Sequence, residues 1–347
     1  MTQRLLQICP HDTPPFDQVC ARVMEAAALL GVEVTTIYLG VAEQAPQPNA
    51  HYLNCSELSE TRQLRRALHK VANGAWDLVL CHRYRAYWSV ARTPLARNRC
   101  VVLGHEFGLM DKWQRRWARR VWARHFAFAG VSPAVAAQLQ PAIERQIVLP
   151  NVLNISAARA ALLTREQARA RLGLPQDLPL VGVVGRLHYK KRPQLAAAAF
   201  EVLQRRMPQA RLVFVGDGDR SAVPHSPGIH ISGFVAQAAS CMRAFDVLLH
   251  TGVVEAFGMV ALEAMAAGVP VVCAPAGGLP YVLGELGHYV PEDEPGAYAS
   301  MLEAVMRRPA PGYAAAALER IETQFSVPAL AHALASVMSS SALATLD

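Results

Sequence analysis

Glu255 and Glu263, in the stretch EAFGMVALEAMAAGVPVV, have seven residues between them. A glycine-containing turn follows the first, and an alanine-rich helix carries the second. Glu255 would sit on a loop at the carboxyl end of a strand and Glu263 about two turns along the helix. That edge of an open α/β sheet is where polar ligands bind, and each carboxylate oxygen accepts hydrogen bonds from sugar or ribose hydroxyls. The pair alone fits equally a surface glutamate and a helix-start glutamate favoured by the dipole. Upstream, LVGVVGRLHYKKRP reads as a buried strand followed by Gly185, Arg186 and, five residues later, Lys191. A guanidinium and an ammonium beside a glycine turn would clamp a diphosphate, or form a solvated basic loop. RLVFVGDGDR is a further apolar strand ending in Gly216, Asp217 and Gly218. His105 lies in a glycine-flanked turn after the apolar run Cys100–Leu103, a place as suited to a structural histidine as to a functional one.

These residues need parallel sheets to hold them, and the chain supplies the pattern. Strand-like and helix-like segments alternate almost throughout. In the first half, strands are expected at Leu5–Cys9, Val32–Tyr38, Leu78–Cys81, Cys100–Leu103, Phe126–Gly130 and Ile147–Leu149. In the second, they are expected at Leu180–Val184, Leu212–Val215, Ile229–Ile231, Val247–His250, Val271–Cys273 and His288–Val290. A linker near 150–160 divides two α/β units. The 347 residues suffice for two domains, and 52% hydrophobic against 18% charged residues argues against disorder. No apolar run approaches the ~20 residues of a membrane span, and the N-terminus carries no signal-peptide pattern, so a cytoplasmic protein is expected. The seven cysteines are scattered without metal-ligand spacing and read as free core thiols. No metal site is expected.

The net charge of +7 is unevenly placed. Lys112, Arg115, Arg116, Arg119, Arg120 and Arg124 crowd one segment, interleaved with Trp113, Trp117 and Trp122. On a helix Trp113, Trp117 and Val121 share a face, with Arg116, Arg120 and Arg124 beside it. Such a helix suits an anionic membrane surface; the competing expectation is an ordinary surface helix whose tryptophans face the core. No nucleic-acid motif accompanies the charge, so nucleic acid is not an expected partner.

Order, spacing and local chemistry over roughly residues 180–290 resemble the retaining glycosyltransferases of family 4, which have the GT-B fold. The resemblance rests on the G-R-L…K turn, V-G-D-G, E-x7-E and Gly277-Gly278 in one order. GHEFG around His105, GVSPAV around Ser132 and LPNVL around Asn151 extend it into the first half. It implies two Rossmann-like domains facing across a cleft: an acceptor-side domain over 1–155, a nucleotide-sugar-binding domain over 156–311, and C-terminal helices over 312–347 crossing back to the first. It implies that Arg186 and Lys191 offset charge on the leaving diphosphate, Glu263 binds the ribose hydroxyls, Glu255 the transferred sugar, and His105 points toward the donor. The backbone at Gly185, Gly216, Phe257, Gly258 and Met259 would approach the donor. Asn151 is read as a hinge landmark and Asp217 as a turn-former.

The activity implied is metal-independent, retaining transfer of a hexose from a nucleotide-diphosphate sugar, UDP in preference to GDP, with no further cofactor. The expected acceptor is a lipid-linked or surface glycan such as lipopolysaccharide core, with peripheral inner-membrane contact through the 112–124 helix. Transfer to a soluble small molecule and a non-catalytic scaffold remain open, and a sugar epimerase is disfavoured by the E-x7-E turn. Three departures bear on specificity. The loop HDTPPFD lacks the paired glycines frequent in the family, Tyr281 stands where an acidic residue is common, and 40–56 is irregular and proline-bearing.

Overall fold

Runs of β-branched and aliphatic residues bounded by glycine, proline and polar turns make short strands here, and both faces of most are covered. The structure is a computed structural model that describes residues 2–43, 50–55, 61–71, 75–122, 125–139, 146–224 and 226–339. The chain divides into two compact units, Met1–Leu153 with Phe325–Asp347, and Asn154–Gln324.

In the first unit β1 (Arg4–Cys9), β2 (Glu33–Tyr38), β3 (Ala50–Tyr52), β4 (Leu78–His82), β5 (Cys100–Gly104), β6 (Phe126–Gly130) and β7 (Ile147–Val148) form a seven-stranded parallel sheet. Its order is β3-β2-β1-β4-β5-β6-β7. Strands β4, β5 and β6 are buried along their whole length, the mark of a sheet covered on both faces. In the second unit β8 (Leu180–Val184), β9 (Arg211–Val215), β10 (Ile229–Gly233), β11 (Val247–His250), β12 (Val271–Cys273) and β13 (His288–Tyr289) form a six-stranded sheet ordered β10-β9-β8-β11-β12-β13. Its core sets Phe200 and Leu203 of the helix Pro193–Arg206, and Tyr298 and Leu302 of Pro295–Arg307, against Val181, Phe214 and Leu249.

The expected strands all form, with ends displaced by a residue or two. Some elements escaped the pattern, the helix Ile155–Ala160 inside the expected linker among them. Strand β3 lies in the irregular stretch and is only three residues long, and the helix Arg83–Val90 starts directly from β4 without a polar cap. The helix Tyr313–Gln324 belongs to the second unit: Arg320 donates to the carbonyls of Tyr281 and Val282 at 2.7 and 2.8 Å. The return to the first unit runs from Phe325, whose carbonyl accepts from the Leu153 amide at 2.9 Å. The helix Val327–Ser339 then packs on Phe16–Leu29.

The basic helix spans Trp113–Trp122 and corrects one expectation. Its tryptophans do not all turn inward: Trp113 is 74% exposed, Trp117 55% and Val121 42%, while Ala118 is the buried residue. Arginine stems and Trp122 complete the inner side, with Arg119 over the Phe128 ring and Trp122 edge-on to Trp88. Arg124 lies outside the described residues. No helix among the described residues is long and apolar enough to cross a membrane.

Candidate functional site

In each sheet the strand order reverses direction at one place, between β1 and β4 in the first and between β8 and β11 in the second. Loops leaving the carboxyl ends of two such strands diverge, and the crevice they leave is the ligand site of doubly wound sheets.

In the second unit the loops after β8 and β11 line a narrow crevice that includes Gly185, Arg186, Lys191, His250, Thr251 and Gly252. Gly185 turns the chain at φ 135°, with nothing within 4 Å of where a Cβ would stand. Gly216, at φ 146°, closes on it from β9: a side chain there would lie 2.0 Å from the Gly185 carbonyl. Arg186 follows, exposed and without a side-chain partner among the described residues. Lys191 closes a short 3-10 turn, and Thr251 at the end of β11 donates to the carbonyls of Lys191 and Arg192 at 2.9 and 3.1 Å.

Lys191 Nζ donates to Glu255 Oε2 at 2.5 Å, and His250 Nε2 stands 3.2 Å from the same oxygen. An ionised carboxylate only accepts, so the proton of His250 sits on Nε2. The buried Nδ1 has no partner among the described residues. Lys191 Nζ, 3.4 Å from that Nε2, is then a neighbouring charge. Burial would raise the Glu255 pKa, but the His250 hydrogen bond and the Lys191 charge outweigh it and hold the carboxyl at about 2. The backbone of Glu255 is clamped as well. Its carbonyl accepts from the Gly278 amide at 2.8 Å, and a Cβ on Gly277 would fall 2.0 Å from that oxygen. Only glycine admits this approach, which gives the Gly277-Gly278 pair a physical task.

Gly258, at φ 112°, caps the helix Met259–Ala266. The Leu262 amide returns to the Gly258 carbonyl at 3.1 Å, so the amides of Met259 to Ala261 precede the first intrahelical bond and point out of the helix end. Phe257 is buried, edge-on to Tyr281. Glu263 lies half-buried on this helix, its carboxylate with no hydrogen-bond or ion-pair partner among the described residues. Burial alone pushes its pKa up to about 7. Asp217 accepts from the Gly218 amide at 2.9 Å, the geometry of a turn-former.

In the first unit the loop after β1 and the ends of β4 and β5 bring a set of rings together. His105 Nε2 and His82 Nδ1 are 3.0 Å apart with their rings stacked, and Phe16 stands edge-on to His105 at 5.3 Å and to His11 at 5.0 Å. Burial lowers the His82 pKa to about 4. Burial, the neighbouring His82 and Arg83 hold His105 well below its ordinary value. Burial favours the neutral form of both rings, and the N–H shared between the two nitrogens leaves at least one of them an acceptor. Arg83, at φ 67°, grips Glu106 with contacts of 2.6 and 2.7 Å.

Thus the second unit gathers Arg186, Lys191, Glu255, Gly185, Gly216, Phe257, Gly258 and Met259 on one edge, with Glu263 about one turn further along the helix Met259–Ala266, and His105 stands on the corresponding edge of the first. Sequence reasoning missed His250, Thr251 and His82. The available signal was positional: each histidine closes an apolar strand, where a side chain reaches the carboxyl edge. Among the described residues no group of three or more His, Cys, Asp or Glu is placed to hold a metal ion.

The family model described as Glycosyl transferases group 1 matches residues 178–308, within the second unit. The D-inositol 3-phosphate glycosyltransferase of Streptomyces coelicolor is 36% identical over 159 residues, covering 40% of this chain and 35% of the relative. The Streptomyces griseus protein of the same name is 32% identical over 243 residues, 63% of this chain and 49% of its own length. The chain thus spans less than half the length of these curated relatives. Among solved structures, sucrose-phosphate synthase from Thermosynechococcus elongatus superimposes with a TM-score of 0.76 at 20% identity, over 99% of this chain and 100% of that one. Anabaena HepE in complex with UDP and glucose gives 0.76 at 19%, over 97% and 100%. The two parallel α/β units have the GT-B fold of these structures.

Proposed function

We propose that the protein is a retaining hexosyltransferase that takes its sugar from a nucleotide-diphosphate donor. The observation that carries this reading is the edge at β8 and β11. There a lysine is aimed by Glu255 and Thr251, an arginine is left exposed, and a second carboxylate, Glu263, is left unpartnered. The donor's diphosphate is assigned to Arg186 and Lys191, its ribose hydroxyls to Glu263, and the transferred sugar to Glu255 and the amides near Gly258. The matching family model, and relatives and neighbours whose names or bound ligands include UDP or glycosyl transfer, support the assignment and favour UDP over GDP.

In the proposed reaction the bond from the sugar's anomeric carbon to the diphosphate oxygen breaks, and the acceptor oxygen bonds to that carbon on the same face. The acceptor's proton passes to the departing diphosphate oxygen. Arg186 and Lys191 meet the negative charge that develops there, the contribution in which preorganised electrostatics acts most strongly, so the step is assigned no metal. Glu255 is a poor covalent nucleophile, because Lys191 and His250 on its Oε2 hold the carboxylate at low basicity. His105 is assigned to the ligand edge of the first unit, where a neutral imidazole exchanges hydrogen bonds with sugar hydroxyls.

The acceptor is assigned to a lipid-linked or surface glycan, such as lipopolysaccharide core, handled at the inner face of the membrane. The exposed Trp113–Val121 stripe supports that choice. A soluble phosphorylated polyol is the second reading, favoured by the names of the curated relatives. UDP release from UDP-hexoses, followed by proton NMR of the product's anomeric centre, tests the reaction. Retained configuration is expected, whereas inversion or absence of turnover with every donor and acceptor would refute it. A glycolipid acceptor turned over faster than inositol phosphate separates the two acceptor readings.

A further inference from the structure

The first unit carries a second concentration of positive charge that the transfer reaction does not use. The helix Thr61–Val71 buries Leu64 and Leu68 and exposes Arg62, Arg65, Arg66, His69 and Lys70. With Arg92 from the turn after the helix Arg83–Val90, these residues line an open groove of about 390 Å³, and no acidic residue lines it among the described residues. A groove bounded by like charges costs stability through mutual repulsion; burial and the nearby Arg65 already lower the Arg92 pKa.

This groove is continuous with the exposed tryptophan helix. The Arg92 guanidinium lies 3.5 Å over the Trp88 ring and 5.7 Å from Trp122. Trp122 in turn meets Trp88 edge-on at 5.4 Å and Trp117 at 6.1 Å. Trp113, Trp117 and Val121 recur every fourth residue on the outward face, while Ala118 is buried and Arg116 and Arg120 are exposed beside the stripe. A helix of this kind lies flat, about 15 Å long, with its apolar stripe outward and its charges flanking it. That is the geometry of an element seated in a lipid interface, indoles at headgroup depth and arginines on the phosphates. A nucleic acid would use the charge but has no need of a stripe ending in valine, and no aromatic strand platform accompanies it.

We propose that this face docks on an anionic lipid bilayer: the Trp113–Val121 stripe enters the interface, and the groove of Arg62, Arg65, Arg66 and Arg92 binds the acidic headgroups. The proposal deepens the glycolipid-acceptor reading and rests on it for its purpose. Its test needs neither donor nor acceptor, so failure here leaves the UDP-release assay standing, and the reverse.

The full chain is sedimented with vesicles of phosphatidylcholine alone and of phosphatidylcholine with phosphatidylglycerol, at about 0.15 M salt. Binding is expected only to the anionic vesicles, with a blue shift of tryptophan fluorescence. The triple change Arg62→Gln, Arg65→Gln, Arg66→Gln is expected to weaken it about 100-fold. The double change Trp113→Ala, Trp117→Ala is expected to weaken it about tenfold or more and to abolish the blue shift. Unfolding midpoints and UDP response show that the variants are folded. Equal binding to neutral vesicles, or Trp variants that bind as the wild type does, overturns the proposal. So does a single-stranded oligonucleotide that binds in a groove-dependent, tryptophan-independent manner and displaces the vesicles.

Discussion

The two sheets reverse strand order in the same way, yet their ligand edges carry opposite chemistry. At β8 and β11 the loops hold full charges: Lys191 on Glu255, Arg186 exposed, Glu263 half-buried and alone. At β1, β4 and β5 the edge is lined by rings whose neutral form burial favours, His82 stacked on His105 with Phe16 against them, and the Arg83–Glu106 ion pair beside them lies toward solvent. Topology therefore fixes where a ligand goes, and the residues that close each strand decide its kind. In the proposed reading the edge with aimed cations takes the diphosphate, and the one with imidazoles exchanges hydrogen bonds with hydroxyls.

The sharpest way to break this comparison is to remove the charge from the second edge. Lys191→Ala, or Glu255→Gln, is expected to lower turnover about 10³-fold, measured as UDP release. The change should leave the first edge intact, with the histidine resonances of His82 and His105 unmoved in NMR spectra.

Glu263 sharpens the comparison by a trade of stability for binding. Its pKa is raised by burial, so the ligand-free protein is favoured by it at low pH and loses that contribution as pH rises from 4.5 through about 7. Glu263→Gln should therefore stabilise the ligand-free protein at pH 8 by about 1–3 kcal/mol, read by denaturant unfolding. The same change should weaken UDP by about 10–100-fold, because a carboxylate bound to ribose hydroxyls is lost. In the wild type UDP should bind more tightly as pH rises through about 7, by calorimetry. A Glu263→Gln protein that kept this rise would deny Glu263 its role.

The neutral edge should respond less. His105→Ala is expected to cost about 10–100-fold in kcat/KM with little change in melting temperature. The His82 pKa is lowered by burial, so its contribution to stability is present above 6.5 and lost as pH falls toward about 4. Acid unfolding of His82→Phe in that window should be correspondingly shallower. Glu106→Gln breaks only the solvent-facing pair and should cost about 0–1 kcal/mol.

Much of this was legible in the chain because strands and glycine turns are local signals. Gly185, Gly216 and Gly258 each stand at a positive φ that their turns require, and the runs before them are apolar. Glu255 and Lys191 were recognisable as candidates from spacing. Their mutual contact was not, since it joins loops from strands that only the sheet order makes neighbours. His250 and His82 escaped notice for the same reason, each looking like the last residue of an apolar strand. The tryptophan helix was ambiguous because periodicity shows that Trp113, Trp117 and Val121 share a face without saying which way it points. Ala118, buried with its carbonyl accepting from the Tyr87 hydroxyl, marks the inner side.

Thermal unfolding with UDP, GDP, ADP and CMP, on the wild type and on Lys191→Ala, tests the central claim most directly. A ligand that binds only the folded protein raises the midpoint with its occupancy. The account predicts a clear rise with UDP, smaller rises with the other nucleotides, and loss of most of the UDP effect in Lys191→Ala. No response to any diphosphate, or an equal UDP response in the mutant, would contradict it.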